Sequence, residues 1–108
     1  MSKNRFQNLM AASFIQKMEQ EKEGILLDVR TSMEYDDFHL EDSINIDIKN
    51  RDFIDEINEL EKDKHYFIYC RIGVRSSNAC NYMAMLGFKN LYNLKGGIIT
   101  LETIHDES

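Results

Sequence analysis

Two short apolar runs, residues 25–29 and 66–70, constrain the fold of this chain more than any other feature of its sequence. The first run follows a glycine and does not alternate apolar with polar residues, which is typical of a strand buried on both faces of a parallel sheet. The second run ends in Cys70 and has the same apolar character. Together the two runs predict a sheet that is covered on both faces.

Helical patterns alternate with these strands along the chain. Thr31 at the N-cap and Glu34 three residues later fit a capping box, which opens a short helix to about Phe38. The other predicted elements are helices at residues 11–21, 52–60, 76–86 and 98–104, and short strands at residues 5–9, 43–47 and 91–94. Strands and helices that alternate at these lengths predict one α/β domain over residues 1–108, with an open, mostly parallel sheet.

The charge and the cysteine content of the chain narrow its classes of partner. Thirteen Lys and Arg residues against 19 Asp and Glu residues give a net charge of −6, and such a surface repels nucleic acids and anionic membranes. No segment approaches the ~20 apolar residues of a membrane span. Two cysteines do not make a disulfide framework, and His65 and His105 lack ligand spacing to them. We therefore expect a cytoplasmic protein with no metal, no cofactor, no nucleic-acid partner and no membrane contact.

The segment from Cys70 to Ser76 carries most of the functional signal. A cysteine leaves a buried strand, the chain turns tightly at Gly73, and a helix follows, so backbone N–H groups converge near the sulfur. The helix N-terminus adds about half a positive charge, and Arg71 and Arg75 add two cations to an otherwise acidic chain. These features favour the thiolate, the reactive form of cysteine, in a cradle for small anions.

A purely structural interpretation of Cys70 stays open at this point. Free cysteine is among the most buried residue types, and a strand-to-helix turn is common in α/β proteins. The two arginines and the immediate helix start make the structural and the reactive interpretation about equally strong. The residues of the loop alone do not decide between them.

An ordered set of motifs extends over nearly the whole chain and resembles the rhodanese homology domain. The first half of that domain is matched by Leu26-Leu27-Asp28-Val29-Arg30, Glu34-Tyr35, His39 and Ile44-Asn45-Ile46. The second half is matched by Tyr69-Cys70-Arg71-Ile72-Gly73-Val74-Arg75-Ser76, Leu86-Gly87-Phe88, Leu91-Tyr92-Asn93-Leu94 and Gly96-Gly97-Ile98. Each motif by itself is weak, whereas their order is highly specific.

The resemblance implies a three-layer α/β/α fold with a central, mostly parallel five-stranded sheet. It also implies a sulfurtransferase in which Cys70 takes a sulfur atom from a small anionic donor such as thiosulfate, or from a persulfide. The Cys70 persulfide then passes that sulfur to cyanide, a thiol or a protein acceptor. The N–H groups of the loop would hold the persulfide anion. The loop residues are Arg71, Ile72, Gly73, Val74, Arg75 and Ser76.

The length of the loop argues against a related class of enzymes, the cysteine-dependent phosphatases. Their active-site loop has five residues between the cysteine and the arginine, and this loop wraps a tetrahedral phosphate. Here four residues separate Cys70 from Arg75, and Ser76 takes the position of the phosphatase arginine. A cradle that is one residue shorter suits a sulfur atom better than a phosphate.

Four other residues have weaker assignments. Asp28 and Arg30 follow a buried strand and are interpreted as supports for the edge of the sheet near the loop, the alternative being an ordinary exposed ion pair. His39 is interpreted as structural, because an ionised thiolate needs no partner base. Cys80 is interpreted as a small buried side chain rather than a resolving thiol.

The sequence departs from the family pattern in two places. Residues 40–43 lack the Pro-Gly often found after the histidine, and Leu101 stands where an aromatic residue is usual. Neither change touches Cys70. Two other functions remain open, a binding module without turnover and a redox or sulfide sensor that uses Cys70 and Cys80. The oligomeric state, the donor, the acceptor and the pathway also stay open.

Overall fold

The computed structural model describes residues 5–101 and shows a five-stranded, wholly parallel sheet. The strands lie in the order β1-β5-β4-β2-β3. They are β1 (Gln7–Leu9), β2 (Ile25–Asp28), β3 (Ile44–Asn45), β4 (His65–Tyr69) and β5 (Asn90–Leu94). The helices are α1 (Ala11–Gln20), α2 (Ser32–Asp37), α3 (Phe53–Asn58) and α4 (Val74–Met85). The predicted α/β sheet is thus confirmed, with strand β4 at its centre.

The central strand β4 shows why the sheet must be covered on both sides. Tyr66 and Ile68 belong to one buried apolar cluster, and the alternate residues Phe67 and Tyr69 belong to another. Successive side chains of a strand point to opposite faces, so the two clusters are the two faces of the sheet. Helices α3 and α4 contribute to the first cluster, and α1 contributes to the second. The three-layer arrangement follows from this double burial.

Several element boundaries differ from the predicted ones. Helix α4 begins at Val74 rather than at Ser76, because its N-cap is Gly73, which provides no capping side chain to mark the start in the sequence. Strand β3 is only two residues long, and helix α3 is six residues long. Of the terminal helix predicted at residues 98–104, residues 99–101 are helical, residue 98 lies in a turn, and residues 102–104 lie outside the described residues.

The register of the sheet brings two functional segments together. Asp28 at the end of β2 pairs with Tyr69 at the end of β4, and Asp28 also pairs with Asn45 of β3. The residues that follow β2 and β4 therefore leave the sheet side by side at its carboxyl edge, where ligands bind in open α/β sheets.

Candidate active site

The sulfur of Cys70 lies in a ring of hydrogen-bond donors at the carboxyl end of β4. The backbone N–H of Gly73 donates to Sγ at 3.1 Å and that of Ser76 at 3.3 Å. The Ser76 hydroxyl oxygen also lies 3.3 Å from Sγ. The sequence predicted a cradle of N–H groups running from Arg71 to Ser76, and the structure places two of these amides at the sulfur itself.

The cradle exists because a glycine and a helix start coincide. Gly73 has a φ of 97°, in the left-handed region that a side chain disfavours. This conformation turns the chain so that Val74 opens helix α4 directly, and Ser76 lies in the first turn. The first N–H groups of a helix have no partner within the helix, so the Ser76 amide is free to donate to Cys70.

Cys70 is fully buried and belongs to the cluster that includes Ala79 and Cys80. Three residues of the loop that follows it, Arg71, Ile72 and Val74, are instead exposed. The sulfur therefore faces the amides, as a reactive cysteine requires, but presents no open surface in this conformation.

The charge of Arg75 is compensated, which the sequence did not predict. Its Nη1 and Nη2 donate to Glu34 Oε1 at 2.8 Å and Oε2 at 3.0 Å. The sequence assigned Glu34 to the capping box with Thr31, which the structure confirms, and to a family motif, but not to a contact with Arg75. Arg71, by contrast, forms no ion pair with any residue in the described range 5–101.

The hydrogen bonds from Arg75 hold the pKa of the Glu34 carboxyl at about 2, below its ordinary value of 4.5. The backbone and the hydroxyl of Thr31 lower it further, whereas burial opposes the shift. The folded protein thus favours the ionised carboxylate more than the unfolded chain does. The pair therefore contributes its full stabilisation at pH values above the ordinary pKa of 4.5.

This pair predicts a loss of stability in acid. The contribution of Glu34 is complete above pH 4.5 and disappears as the pH falls to about 2. We expect the free energy of unfolding in urea to fall more steeply over this interval in the wild type than in Glu34→Gln, which has no charge to lose. Parallel pH profiles of the two proteins would show that the pair does not stabilise the fold.

Asp28 and Arg30 form a buried ion pair rather than an exposed one. Asp28 is fully buried and Arg30 is 6% exposed. The guanidinium Nη2 lies 2.7 Å from Asp28 Oδ2, and both Nε and the backbone N–H of Arg30 donate to Oδ1. Asn45 Nδ2 bonds the carbonyl oxygens of both residues. The pair lies at the carboxyl edge of the sheet, and neither residue is hydrogen-bonded to Cys70 in the described part of the chain; the supporting role stays a prediction.

Removing one charge of this pair should be costly. Asp28→Asn leaves a buried guanidinium without its counter-charge, and we expect it to lower the free energy of unfolding by about 3 kcal/mol. Asp63→Asn is the matched control, because Asp63 pairs with Lys89 at 3.4 Å on the surface and exposed pairs contribute little. Urea unfolding of both variants measures the difference, and similar losses would contradict the importance of burial.

The Gly96-Gly97-Ile98 turn packs against the backbone of the Cys70 loop, a contact that the sequence did not predict. The backbone N–H of Ile98 donates to the Cys70 carbonyl oxygen at 2.9 Å. A Cβ atom on Gly97 would lie 2.1 Å from the Arg71 carbonyl oxygen. This turn and the loop therefore pack backbone against backbone, and only glycine fits at position 97.

The two remaining candidates, His39 and Cys80, form no hydrogen bond with the Cys70 sulfur within the described residues. His39 stacks on the Tyr35 ring at 3.7 Å, and its Nδ1 lies 2.7 Å from the Tyr35 carbonyl oxygen. Cys80 is fully buried, and this burial, with a smaller effect of Cys70, raises the pKa of its thiol. Residues 5–101 contain no cluster of three or more His, Cys, Asp or Glu side chains that could hold a metal ion. Within the same residues, no helix is long and apolar enough to cross a membrane.

Comparison with known proteins places the chain in a family. Residues 10–100 match the family model of the rhodanese-like domain. The chain belongs to the rhodanese-like family. The predicted family is thus confirmed. The predicted fold is confirmed by a solved structure, a rhodanese-related protein from Thermoplasma volcanium that superposes with a TM-score of 0.76 at 29% identity. The superposition covers 91% of this chain and 93% of that one.

Two curated relatives of this rhodanese-like domain differ in length and in name. A putative sulfurtransferase, YtwF of Bacillus subtilis, is 33% identical over 87% of this chain and 88% of its own length. A tRNA uridine(34) hydroxylase of Pelagibacter ubique is 35% identical over 91% of this chain but only 33% of its own length. The chain therefore spans about a third of the length of the first curated relatives it matches.

Proposed function

We propose that this rhodanese-like domain is a sulfurtransferase that carries the transferred sulfur atom on Cys70 as a persulfide. One observation carries the proposal: the Gly73 and Ser76 amides and the Ser76 hydroxyl surround Sγ at the start of helix α4. Donors fixed in this way stabilise negative charge on sulfur without having to reorganise during the reaction. The similarity to a putative sulfurtransferase over most of both chains supports the same conclusion.

The reaction proceeds by two displacements at sulfur. The Cys70 thiolate attacks the outer sulfur of the donor, a bond forms between the two sulfur atoms, and the bond within the donor breaks. Its electron pair leaves with sulfite when the donor is thiosulfate, or with a thiolate when it is an organic persulfide. The acceptor, cyanide or a thiolate, then attacks the outer sulfur of the Cys70 persulfide and restores the thiolate. No external oxidant or reductant is needed.

The loop supplies the other elements of the mechanism. The cradle bonds Sγ while it carries the negative charge of the attacking thiolate, and again when the acceptor restores that thiolate; in the persulfide the charge lies on the outer sulfur. The exposed Arg71 adds a positive charge to the loop that solvent and salt screen. The roles of Ile72, Gly73, Val74 and Arg75 are to shape and hold the cradle. Both cysteines are free, which suits the reducing cytoplasm as the site of the reaction.

Intact mass spectrometry tests the proposal directly. The protein is incubated with thiosulfate and, separately, with the persulfide of 2-mercaptoethanol, and cyanide is then added. An enzyme gains the mass of one sulfur atom and releases it as thiocyanate. A binding module would gain nothing from either donor. A redox switch would instead lose two hydrogen atoms under mild oxidant as Cys70 and Cys80 join; the raised pKa of the Cys80 thiol disfavours this.

A second candidate function follows from the tRNA uridine(34) hydroxylases, one of which matches 91% of this chain at 35% identity. In this case the domain would act on tRNA as one part of a larger protein. The net charge of −6 opposes direct contact with phosphates. Fluorescence anisotropy with labelled tRNA at low salt tests this function. Salt-sensitive binding would support it, and the absence of binding would contradict a tRNA contact by this domain.

A further inference from the structure

The ion pair between Glu34 and Arg75 changes the electrostatics of the loop that holds Cys70. Arg75 immediately precedes Ser76, whose amide donates to Sγ. Its guanidinium is bonded through both Nη1 and Nη2 to a single carboxylate. Such bidentate pairs are strong and geometrically fixed. The positive charge that the loop sequence offers to an incoming anion is therefore largely cancelled.

The other charged groups near the loop do not replace it. The buried Asp28–Arg30 pair is internally neutral. Arg71 is exposed, and Lys95 lines an open cavity of about 310 Å³ together with Ile72, Gly73 and Val74 of the loop. These two cations face the surface, where solvent and salt screen them. Arg75 directly precedes Ser76 in the cradle, and its charge is the one that Glu34 compensates.

The rim of the loop carries two exposed apolar side chains beside its screened cations. Ile72 is 55% exposed and Val74 is 59% exposed, although both are large hydrophobic side chains. They follow Cys70 by two and four residues and border the cradle. An apolar rim gains free energy from covering carbon atoms, which an organic persulfide offers and an inorganic oxyanion does not.

We propose that Glu34 is a specificity-determining residue, which cancels the charge of Arg75 and so favours singly charged organic persulfides over dianionic thiosulfate as sulfur donors. This inference rests on the proposed sulfurtransferase function and narrows its donor class. Glu34 acts through Arg75 and does not touch the donor. It is a positioning residue for charge rather than a catalytic residue.

The test compares two donors in Glu34→Gln. Glutamine keeps the shape of the side chain and its place in the capping box, but it leaves the charge of Arg75 uncompensated. A unit charge acts twice as strongly on a dianion as on a monoanion. We expect kcat/KM to rise roughly tenfold for thiosulfate and roughly threefold for the persulfide of 2-mercaptoethanol, mainly through KM. Added salt should diminish both increases.

Three further measurements separate charge from structure. Glu34→Asp retains the charge and should keep the donor ratio of the wild type. Asp36→Asn removes an exposed charge from the same helix, where Asp36 forms no ion pair with a described residue, and should also keep it. A comparison of a persulfide carried on a cysteine desulfurase with the free persulfide distinguishes a protein carrier from a small thiol. Transfer from either one that is faster than transfer from thiosulfate supports the organic class.

The outcomes are distinguishable from those of the proposed function. If the wild type prefers thiosulfate, or if Glu34→Gln leaves the donor ratio unchanged or shifts it without salt dependence, the specificity inference is wrong while the sulfurtransferase function stands. If neither donor loads Cys70 in the wild type, the proposed function fails, and the inference fails with it.

Discussion

Replacing Cys70 with serine is expected to abolish sulfur loading and to lower sulfurtransferase turnover by at least about a thousandfold, because the variant lacks the nucleophile. A serine hydroxyl is not ionised at neutral pH and forms no persulfide. Cys70→Ser should still fold, since the introduced hydroxyl can accept hydrogen bonds from the Gly73 and Ser76 amides that now donate to Sγ. Intact mass after incubation with donor, and thiocyanate released by cyanide, are the measurements.

Cys80→Ala provides the matched control for this experiment. It also removes one of the two free cysteines, and it does so at a fully buried position in helix α4. We expect the variant to load one sulfur atom like the wild type and to lose a modest amount of stability, about 1 kcal/mol. Loading that survives in Cys70→Ser, or that is lost in Cys80→Ala, would show that Cys70 is not the residue that carries the sulfur.

Replacing Gly97 with alanine is expected to produce the largest loss of stability, more than about 4 kcal/mol. Two costs combine at this position. The φ of 78° is unfavourable for any residue with a Cβ atom. That atom would also lie 2.1 Å from the Arg71 carbonyl oxygen and 2.5 Å from the Ile72 nitrogen. Because these are backbone atoms of the Cys70 loop, relief of the clash must displace the cradle.

Gly87→Ala separates the two costs. Gly87 has a φ of 98°, but the nearest atom to an added Cβ would be Lys62 Cδ at 3.8 Å, which is an ordinary contact. This variant should therefore lose only the conformational term, about 1–2 kcal/mol. The free energy of unfolding in urea gives both values. Equal losses in the two variants would mean that the turn does not press on the loop. If Gly97→Ala does not fold at all, while Gly87→Ala does, the clash is confirmed by that contrast.

These predictions share one physical idea, that the cradle is held from several directions. Helix α4 supplies the Ser76 amide, the turn after β5 supports the loop through the Ile98 N–H bond to Cys70, and helix α2 supplies the counter-charge of Arg75 through Glu34. The last two contacts join segments that are far apart in the chain. A change in any of the three should alter the reactivity of Cys70 without touching its side chain.

The sequence by itself determined the elements of the fold. Apolar runs identify β2 and β4 because burial on both faces leaves a local signature, and the capping box of Thr31 and Glu34 identifies the start of α2 because its partners are three residues apart. The start of α4 was misplaced by two residues because its N-cap, Gly73, has no side chain to signal it. The family was also identified from the ordered motifs of the sequence, whereas Cys70 as the nucleophile stays a prediction.

Only the tertiary structure decided how these elements act on one another. Glu34 and Arg75 are 41 residues apart in the chain, and the closeness of Gly97 to Arg71 depends on how the turn after β5 packs behind the end of β4. The full burial of Cys70 and of the Asp28–Arg30 pair is likewise a property of the packed sheet. Periodicity and capping describe interactions within a few residues, whereas strand order and register set the distances between segments far apart in the chain.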